Sequence, residues 1–393
     1  MISSSKKCTG CSACQQVCPK NCISMQPDQE GFLYPVVDES KCIKCGRCVK
    51  VCLLEQEIPE LTDRLVPVQA WAMKHQNKER IMKSASGGAF AALAEHILEQ
   101  GGVVFGCAYN EDMQVVHRSV STVDELWMLQ SSKYVQSNTL NTFSEAKQYL
   151  NEGKTVLYSG TPCQIVGLRL FLGKQYEKLY TVDLICHGVP SPLLFQKYLT
   201  WLGKSAGGSI SGYNFRDKRK RGWNDVYIYS YRTTEKEHFN YAECDPYFKH
   251  FLIQDTYREC CYSCPFAQSQ RHSDFTIGDY WGIEHIHPEF EESTGVSALI
   301  VNTEKGALYL SALQSKITLL PTKYEDIRKY NANLNHPTKR NSNRDHIYDG
   351  INEHSDEMYI CSIRTNVTLK KQISCRIPKK YKRMIKRLLK RSE

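Results

Sequence analysis

The stretches CTGCSACQQVCP at residues 8–19 and CIKCGRCVKVCL at residues 42–53 decide the fold of the first fifty residues. Each repeats the spacing Cys-x2-Cys-x2-Cys-x3-Cys, with Cys8, Cys11, Cys14 and Cys18 in the first and Cys42, Cys45, Cys48 and Cys52 in the second. Three cysteines at this spacing wrap a tight loop and offer thiolates to three irons of one cubane, so a fourth ligand must come from elsewhere. In two-cluster modules the fourth Cys of each run ligates the other cluster. The spacing therefore predicts two [4Fe-4S] clusters, one on Cys8, Cys11, Cys14 and Cys52 and the other on Cys42, Cys45, Cys48 and Cys18. A zinc site, the alternative, takes four ligands in two pairs and has no use for eight in a doubled run. Pro19 follows Cys18 as the pattern asks, whereas Leu53 stands where a second proline is expected. Cys22 has no place in the pattern and reads as a buried thiol.

Outward from these runs, residues 1–56 read as a bacterial-type ferredoxin domain, too short for an apolar core and held together by metal. Residues 57–67, with Pro59 and Pro67, read as a linker. From residue 68 short β-rich runs (VQAWAMK, GVVFGCAY, TVLYSG, YTVDLIC) alternate with helical spacing (GGAFAALAEHILEQ, TFSEAKQYLNE, SPLLFQKYLTWL). The expected fold class is α/β (α+β) and multi-domain: the small 2[4Fe-4S] domain, then a larger α/β domain with an N-terminal part, 68–205, and a C-terminal part, 206–322. The second part holds an aromatic stretch suggesting antiparallel strands with a Gly-Trp turn, the Cys261-x2-Cys264 pair, and a final strand and helix in SALIVNTEKGALYLSAL. Residues 323–375 are polar and yield no pattern, and 376–393 form a basic tail.

The chain has 393 residues, 18 of them Cys, and a net charge of +9. A reducing cytosol makes clustered cysteines metal ligands or redox groups before disulfides. The N-terminus MISSSKKCTG lacks a secretory apolar stretch, and no run reaches the roughly 20 apolar residues of a membrane span, so the expected localisation is cytoplasmic. Nine Lys or Arg and one acid lie between Arg376 and Glu393, leaving a nearly neutral body. That distribution excludes a nucleic-acid-binding face. In KKYKRMIKRLLKR, Tyr381, Met384, Ile385, Leu388 and Leu389 share one helical face ringed by cations, which suits either peripheral contact with the inner membrane surface or docking on a protein.

Six segments recur in order along the body: SASGGAF at 84–90, SKYVQS at 132–137, SGTPCQIVGLR at 159–169, ICHGVPSP at 185–192, FRDKRKRGW at 215–223 and CYSCPFA…DFTIGDYWG at 261–282. Together they resemble the beta subunit family of coenzyme F-420 (deazaflavin) hydrogenases and dehydrogenases across residues 68–300. The resemblance implies a flavin-binding α/β core with FAD, an additional [4Fe-4S] cluster, and substrates that differ widely within the family.

On its own chemistry SASGGAF opens an apolar helix, whose N-terminal N–H groups suit either a phosphate or an ordinary cap by Ser84 or Ser86. The resemblance assigns Ser84, Ser86, Gly87 and Gly88 to the flavin pyrophosphate, and Lys133, Tyr134, Gln136 and Ser137 to the flavin lining. Lys133 would stabilise negative charge on a reduced flavin, or simply be solvated. Cys163 and Cys186 each follow an expected strand, at the end where α/β sheets place their sites. With Cys261 and Cys264 they are the positions to which the resemblance points for the third cluster, although Cys260 could compete with Cys261. Cys107 and Cys244 read as thiols without a role. His187 is a candidate proton donor or a merely hydrogen-bonded histidine. The cations of FRDKRKRGW would bind an anionic substrate or face water, and Asp279 and Trp281 would support the flavin or pack the core.

The expected protein is an iron-sulfur flavoprotein oxidoreductase acting on a small-molecule substrate with a redox partner protein. Its rivals are an electron-transfer subunit whose catalytic site lies on another polypeptide and a regulatory protein at a membrane surface.

Overall fold

The computed structural model describes residues 5–55, 67–364, 367–378 and 381–382. Most of the expected linker and most of the basic tail, including its proposed amphipathic face, lie outside the described residues.

The N-terminal module is a pair of cysteine loops around a hairpin. Strands β1 (Ile23–Pro27) and β2 (Leu33–Val37) pair antiparallel. A single-turn helix follows each loop, Ala13–Gln16 and Arg47–Lys50.

The body is built on one eight-stranded sheet. Its strands are β3 (Gln69–His75), β4 (Val103–Tyr109), β5 (Val115–Val120), β6 (Val156–Gly160), β7 (Leu179–Leu184), β11 (Phe275–Asp279), β12 (Ser297–Val301) and β13 (Ile317–Pro321). They lie in the order β13-β3-β12-β11-β7-β6-β4-β5. The four central strands β4, β6, β7 and β11 are parallel, and the strands flanking them pair antiparallel. All five residues of β6 are buried, as a parallel strand covered on both faces requires. Because β7 pairs with β11 and β3 with β12, the two expected parts, 68–205 and 206–322, share this one sheet.

A smaller antiparallel sheet holds β8 (Gly212–Asn214), β9 (Ile228–Arg232) and β10 (Glu237–Tyr241), in the order β10-β9-β8. It packs an aromatic core with helix Pro192–Ala206, including Phe195, Tyr198, Tyr213, Phe215 and Tyr229. Buried Asp245 satisfies two of these phenols, accepting from Tyr198 at 2.6 Å and Tyr229 at 2.7 Å. The stretch that gave no pattern, 323–375, contributes helices Tyr324–Tyr330, Arg344–Tyr348 and Asp356–Ile363. Among the described residues no helix is long and apolar enough to cross a membrane.

Local sequence explains the helices that point at the site. Thr161 caps helix Pro162–Leu172 in a capping box with Gln164, Pro162 occupies the first turn, and Gly173 ends it at φ +69°. Ser191 caps helix Pro192–Ala206 by accepting from the N–H groups of Leu193 and Leu194. Helix Ala89–Glu99 departs from expectation: its N-cap is Gly88 at φ +91°, not Ser84 or Ser86.

Candidate functional site

The parallel strands end at one cavity of about 650 Å³. Its walls come from the carboxyl ends of β4, β6, β7 and β11, where an α/β sheet leaves its backbone groups free for a ligand. The turn after β6 brings Cys163, and that after β7 brings Cys186 and His187. The single-turn segment Glu259–Ser263 with Cys264 completes the wall. Cys163, Cys186, Cys261 and Cys264, from three separate segments, thus all line this one cavity. Burial pushes the Cys186 thiol up to about 12, with repulsion from Cys264 adding to it. Cys163 is raised further by burial and by Cys264, Cys186 and Cys260. Cys260 and Cys261 share a hydrogen bond, and both line the cavity.

Lys133, Tyr134, Gln136 and Ser137 also line this cavity, and each has a distinct partner. The Lys133 ammonium donates to the Gln130 carbonyl at 3.0 Å, and burial lowers its pKa. The Tyr134 hydroxyl accepts from Arg216 at 3.1 Å while its ring stacks on Phe251 at 4.1 Å. Gln136 reaches across to the N-terminal module, donating to the Thr9 carbonyl at 2.9 Å. Ser137 hydrogen-bonds to His117 Nδ1. His117 Nε2 lies 3.0 Å from the Ser159 carbonyl, which can only accept, so Nε2 carries the proton and Nδ1 accepts from Ser137. Burial holds this neutral imidazole down at about 4.

Ser86 lines the cavity and shares a hydrogen bond with Ser297 at 2.8 Å. Ser84, Gly87 and Gly88 do not line it. The Ser84 hydroxyl donates to the Arg80 carbonyl and accepts from Gln130, and Gly87 is wedged against the backbone of Met73 and Ser297. His187 lines the cavity with its pKa lowered by burial and partly restored by Asp279.

Of the FRDKRKRGW cations only Arg216 lines the cavity. It pairs with Asp279 through two bonds, at 2.9 and 3.3 Å. Asp279 also accepts from the Trp223 indole at 2.6 Å, and the Trp223 and Trp281 rings stack at 5.1 Å. Lys218 points the other way and donates to the carbonyls of Ile81, Ser86 and Thr294 at 2.6 to 2.8 Å, bracing the segment that carries Ser86. Arg219 and Arg221 pair with Asp217 and Asp225.

Cys18, Cys42, Cys45 and Cys48 ring a second cavity of about 260 Å³. Cys22 lines the same cavity with its Sγ 3.3 Å from that of Cys18. Cys8, Cys11, Cys14 and Cys52 form the other set; as thiolates Cys11, Cys8 and Cys52 would each raise the pKa of Cys14. Among the described residues no three His, Cys, Asp or Glu side chains are arranged to hold a single metal ion.

Sequence reasoning missed His117 and the buried arginines Arg258 and Arg271. No spacing flags them, because each also bonds a segment distant in the chain: His117 with Ser159, Arg258 with Cys8 and Arg271 with Leu184.

Residues 7–55 match the 4Fe-4S dicluster domain. Residues 153–326 match the family model for the C terminus of the coenzyme F420 hydrogenase/dehydrogenase beta subunit. The coenzyme F420-dependent sulfite reductase of Methanocaldococcus jannaschii is 23% identical over 385 residues, covering 85% of this chain. The chain spans 57% of that relative's length. In the F420-reducing [NiFe] hydrogenase complex from Methanosarcina barkeri, one chain is similar at 16% identity with a TM-score of 0.47, over 68% of this chain and 88% of that one. The chain is thus an iron-sulfur redox protein that carries the C-terminal domain of the coenzyme F420 hydrogenase/dehydrogenase beta subunit family behind a 4Fe-4S dicluster domain.

Proposed function

We propose that this chain is an oxidoreductase whose cysteines hold three [4Fe-4S] clusters and whose cavity holds FAD, exchanging electrons between a redox partner protein and a small two-electron substrate. The observation carrying this reading is that one cavity is bounded both by the four cysteines of three segments and by Lys133, Tyr134, Ser137 and Arg216. Its volume falls among those of cofactor sites. When bound, the clusters supply one-electron transfer and the flavin joins it to two-electron chemistry.

The chain's own residues then divide the work. The half-buried Lys133 ammonium is hydrogen-bonded to a carbonyl rather than a carboxylate, so its charge is available to an anionic ligand in the cavity. Arg216, neutralised by Asp279, holds the Tyr134 hydroxyl in place instead of offering a net charge. His187 is kept neutral by burial and can accept a proton at the cavity wall. Tyr134 and Phe251, stacked together, exclude water.

The names of the family and of the relative suggest coenzyme F420 as the two-electron substrate. Anaerobically purified protein should contain about twelve irons and one flavin per chain. Eight irons with no flavin would overturn the reading. Flavin reduction screened anaerobically against reduced deazaflavin, NADH, NADPH and reduced ferredoxin identifies the substrate, with reduced deazaflavin expected to be fastest.

A second reading, an electron-transfer subunit serving a catalytic site elsewhere, is favoured by the outward face of the second cluster cavity, where Cys45 is exposed and Ile43 is 57% exposed. Turnover of substrate by the isolated chain would rule it out.

A further inference from the structure

Among the described residues four arginines are almost wholly buried, and three of them have a carboxylate. Arg216 pairs with Asp279, Arg271 with Asp183 at 3.0 Å, and Arg344 with Glu30. Arg258 differs. Its side chain has no exposure, and its guanidinium donates to the Cys8 carbonyl at 2.7 Å, the Leu33 carbonyl at 3.0 Å and Gln136 Oε1 at 3.0 Å, and reaches the Cys8 and Cys260 sulfurs, but no carboxylate. It also lies over the Tyr34 ring, 4.0 Å from the centroid. A buried charge without a counter-charge is strongly unfavourable. The anionic candidates beside Arg258 are sulfurs: Cys8, of the first N-terminal ligand set, and Cys260, at the wall of the main cavity.

Arg258 therefore stands at the seam between module and body, with one candidate cluster ligand on either side. We propose that Arg258 is a positioning residue of the electron path, a buried cation whose counter-charge is the iron-sulfur centre on Cys8, Cys11, Cys14 and Cys52, and which favours that centre's reduced form. This rests on the reading of the cysteines as cluster ligands. Adding one electron to a cluster adds one negative charge, and a fixed cation in a medium of low dielectric stabilises that product. Gln136 and Leu33 keep the guanidinium in place, so the charge need not reorganise when the electron arrives. The second cluster set, around Cys42, Cys45 and Cys48, has no comparable buried cation, since the cations lining its cavity, Lys20, Lys44 and Arg47, are exposed.

The test is an EPR-monitored redox titration of the anaerobic full-length protein, comparing wild type with Arg258→Gln and Arg258→Lys. Arg258→Gln should shift one cluster couple to lower potential, with at least a tenfold fall in its reduced-to-oxidised ratio at a fixed poise, about 59 mV for a one-electron couple. The remaining couples should stay in place, and Arg258→Lys should recover most of the shift. Should Arg258→Gln lose its iron, Gln136→Glu places an acid against the intact guanidinium and should move the same couple in the same direction. No shift, a uniform shift of all couples, or loss of the cluster in both variants would overturn the proposal. Wild-type protein without distinct cluster couples would instead overturn the cluster reading itself.

Discussion

The two cysteine runs of the N-terminal module have one spacing and opposite surroundings. In the first, Cys14 is buried, Cys11 is pushed to about 12 by burial, and the loop lies against the body. In the second, Cys45 is exposed and its neighbour Ile43 faces outward. The backbones nevertheless agree. Each loop turns through two left-handed residues at matched positions, Gly10 (φ +68°) and Ser12 (φ +61°) in the first, Lys44 (φ +54°) and Gly46 (φ +73°) in the second. Ligand wrapping demands the conformation in both. What differs is where glycine is needed. A Cβ on Gly10 would sit 2.8 Å from Gln136 Nε2 and 3.1 Å from Arg258, whereas Lys44 projects into solvent and a Cβ on Gly46 would meet nothing within 4 Å. Docking, not cluster chemistry, selects the residue.

That contrast can be broken most strongly at the ligands. Cys14→Ser should strip the docked cluster and destabilise the module against the body, while Cys45→Ser should remove about four irons and leave the body folded. Iron content together with protease resistance separates the two, and equal damage from both would erase the asymmetry. Next in size, Gly10→Ala combines a left-handed strain with overpacking at the seam and should cost about 3 kcal/mol. Gly46→Ala carries the strain alone and should cost about 1 kcal/mol. Urea midpoints measure both.

The seam can also be loosened at the turn of the module's hairpin, between β1 and β2. Glu30→Gln leaves Arg344, which is 2% exposed, short of its carboxylate, with Glu259 a more distant acid at 3.7 Å. About 2 kcal/mol of destabilisation is expected, discounted because Glu30 is itself 30% exposed. Breaking the exposed Lys41–Asp38 pair on the other half with Lys41→Met should change nothing measurable.

A further small effect concerns pH. His117, beside the Ser137 of the seam segment, titrates at about 4 in the folded chain, below its unfolded value. Between these values the unfolded chain binds the extra proton, so stability falls as pH drops through that window. At pH 5.5 the loss is about 1 kcal/mol relative to pH 8. His117→Gln, which keeps a donor for Ser159 and an acceptor for Ser137, should lack this component when urea midpoints are compared across pH.

Legibility in the sequence followed the range of the forces. The strands of the parallel core and helices Ala89–Glu99 and Thr142–Asn151 were readable from local pattern. Helix Pro162–Leu172 was not, because it is buried at nine of its eleven residues and therefore shows little periodic contrast. The edge strands β5 and β13 were also missed, being short and partly polar, with Pro321 ending the latter. Among the site residues, Lys133 and His187 line the cavity. Ser84, Gly87 and Gly88 instead shape the turn that delivers Ser86.

By itself the sequence determined the doubled cysteine runs, their dicluster character and the α/β order. These depend on spacings within a loop or a helical turn, where covalent geometry allows few alternatives. Only the tertiary structure decided which cysteine run faces the body, that Cys163, Cys186, Cys261 and Cys264 share one cavity, and that Arg258 is buried without a carboxylate. Such convergence depends on strand order and on packing between segments far apart in the chain, such as Arg258 and Cys8 at 250 residues and Arg344 and Glu30 at 314, and no local pattern encodes it.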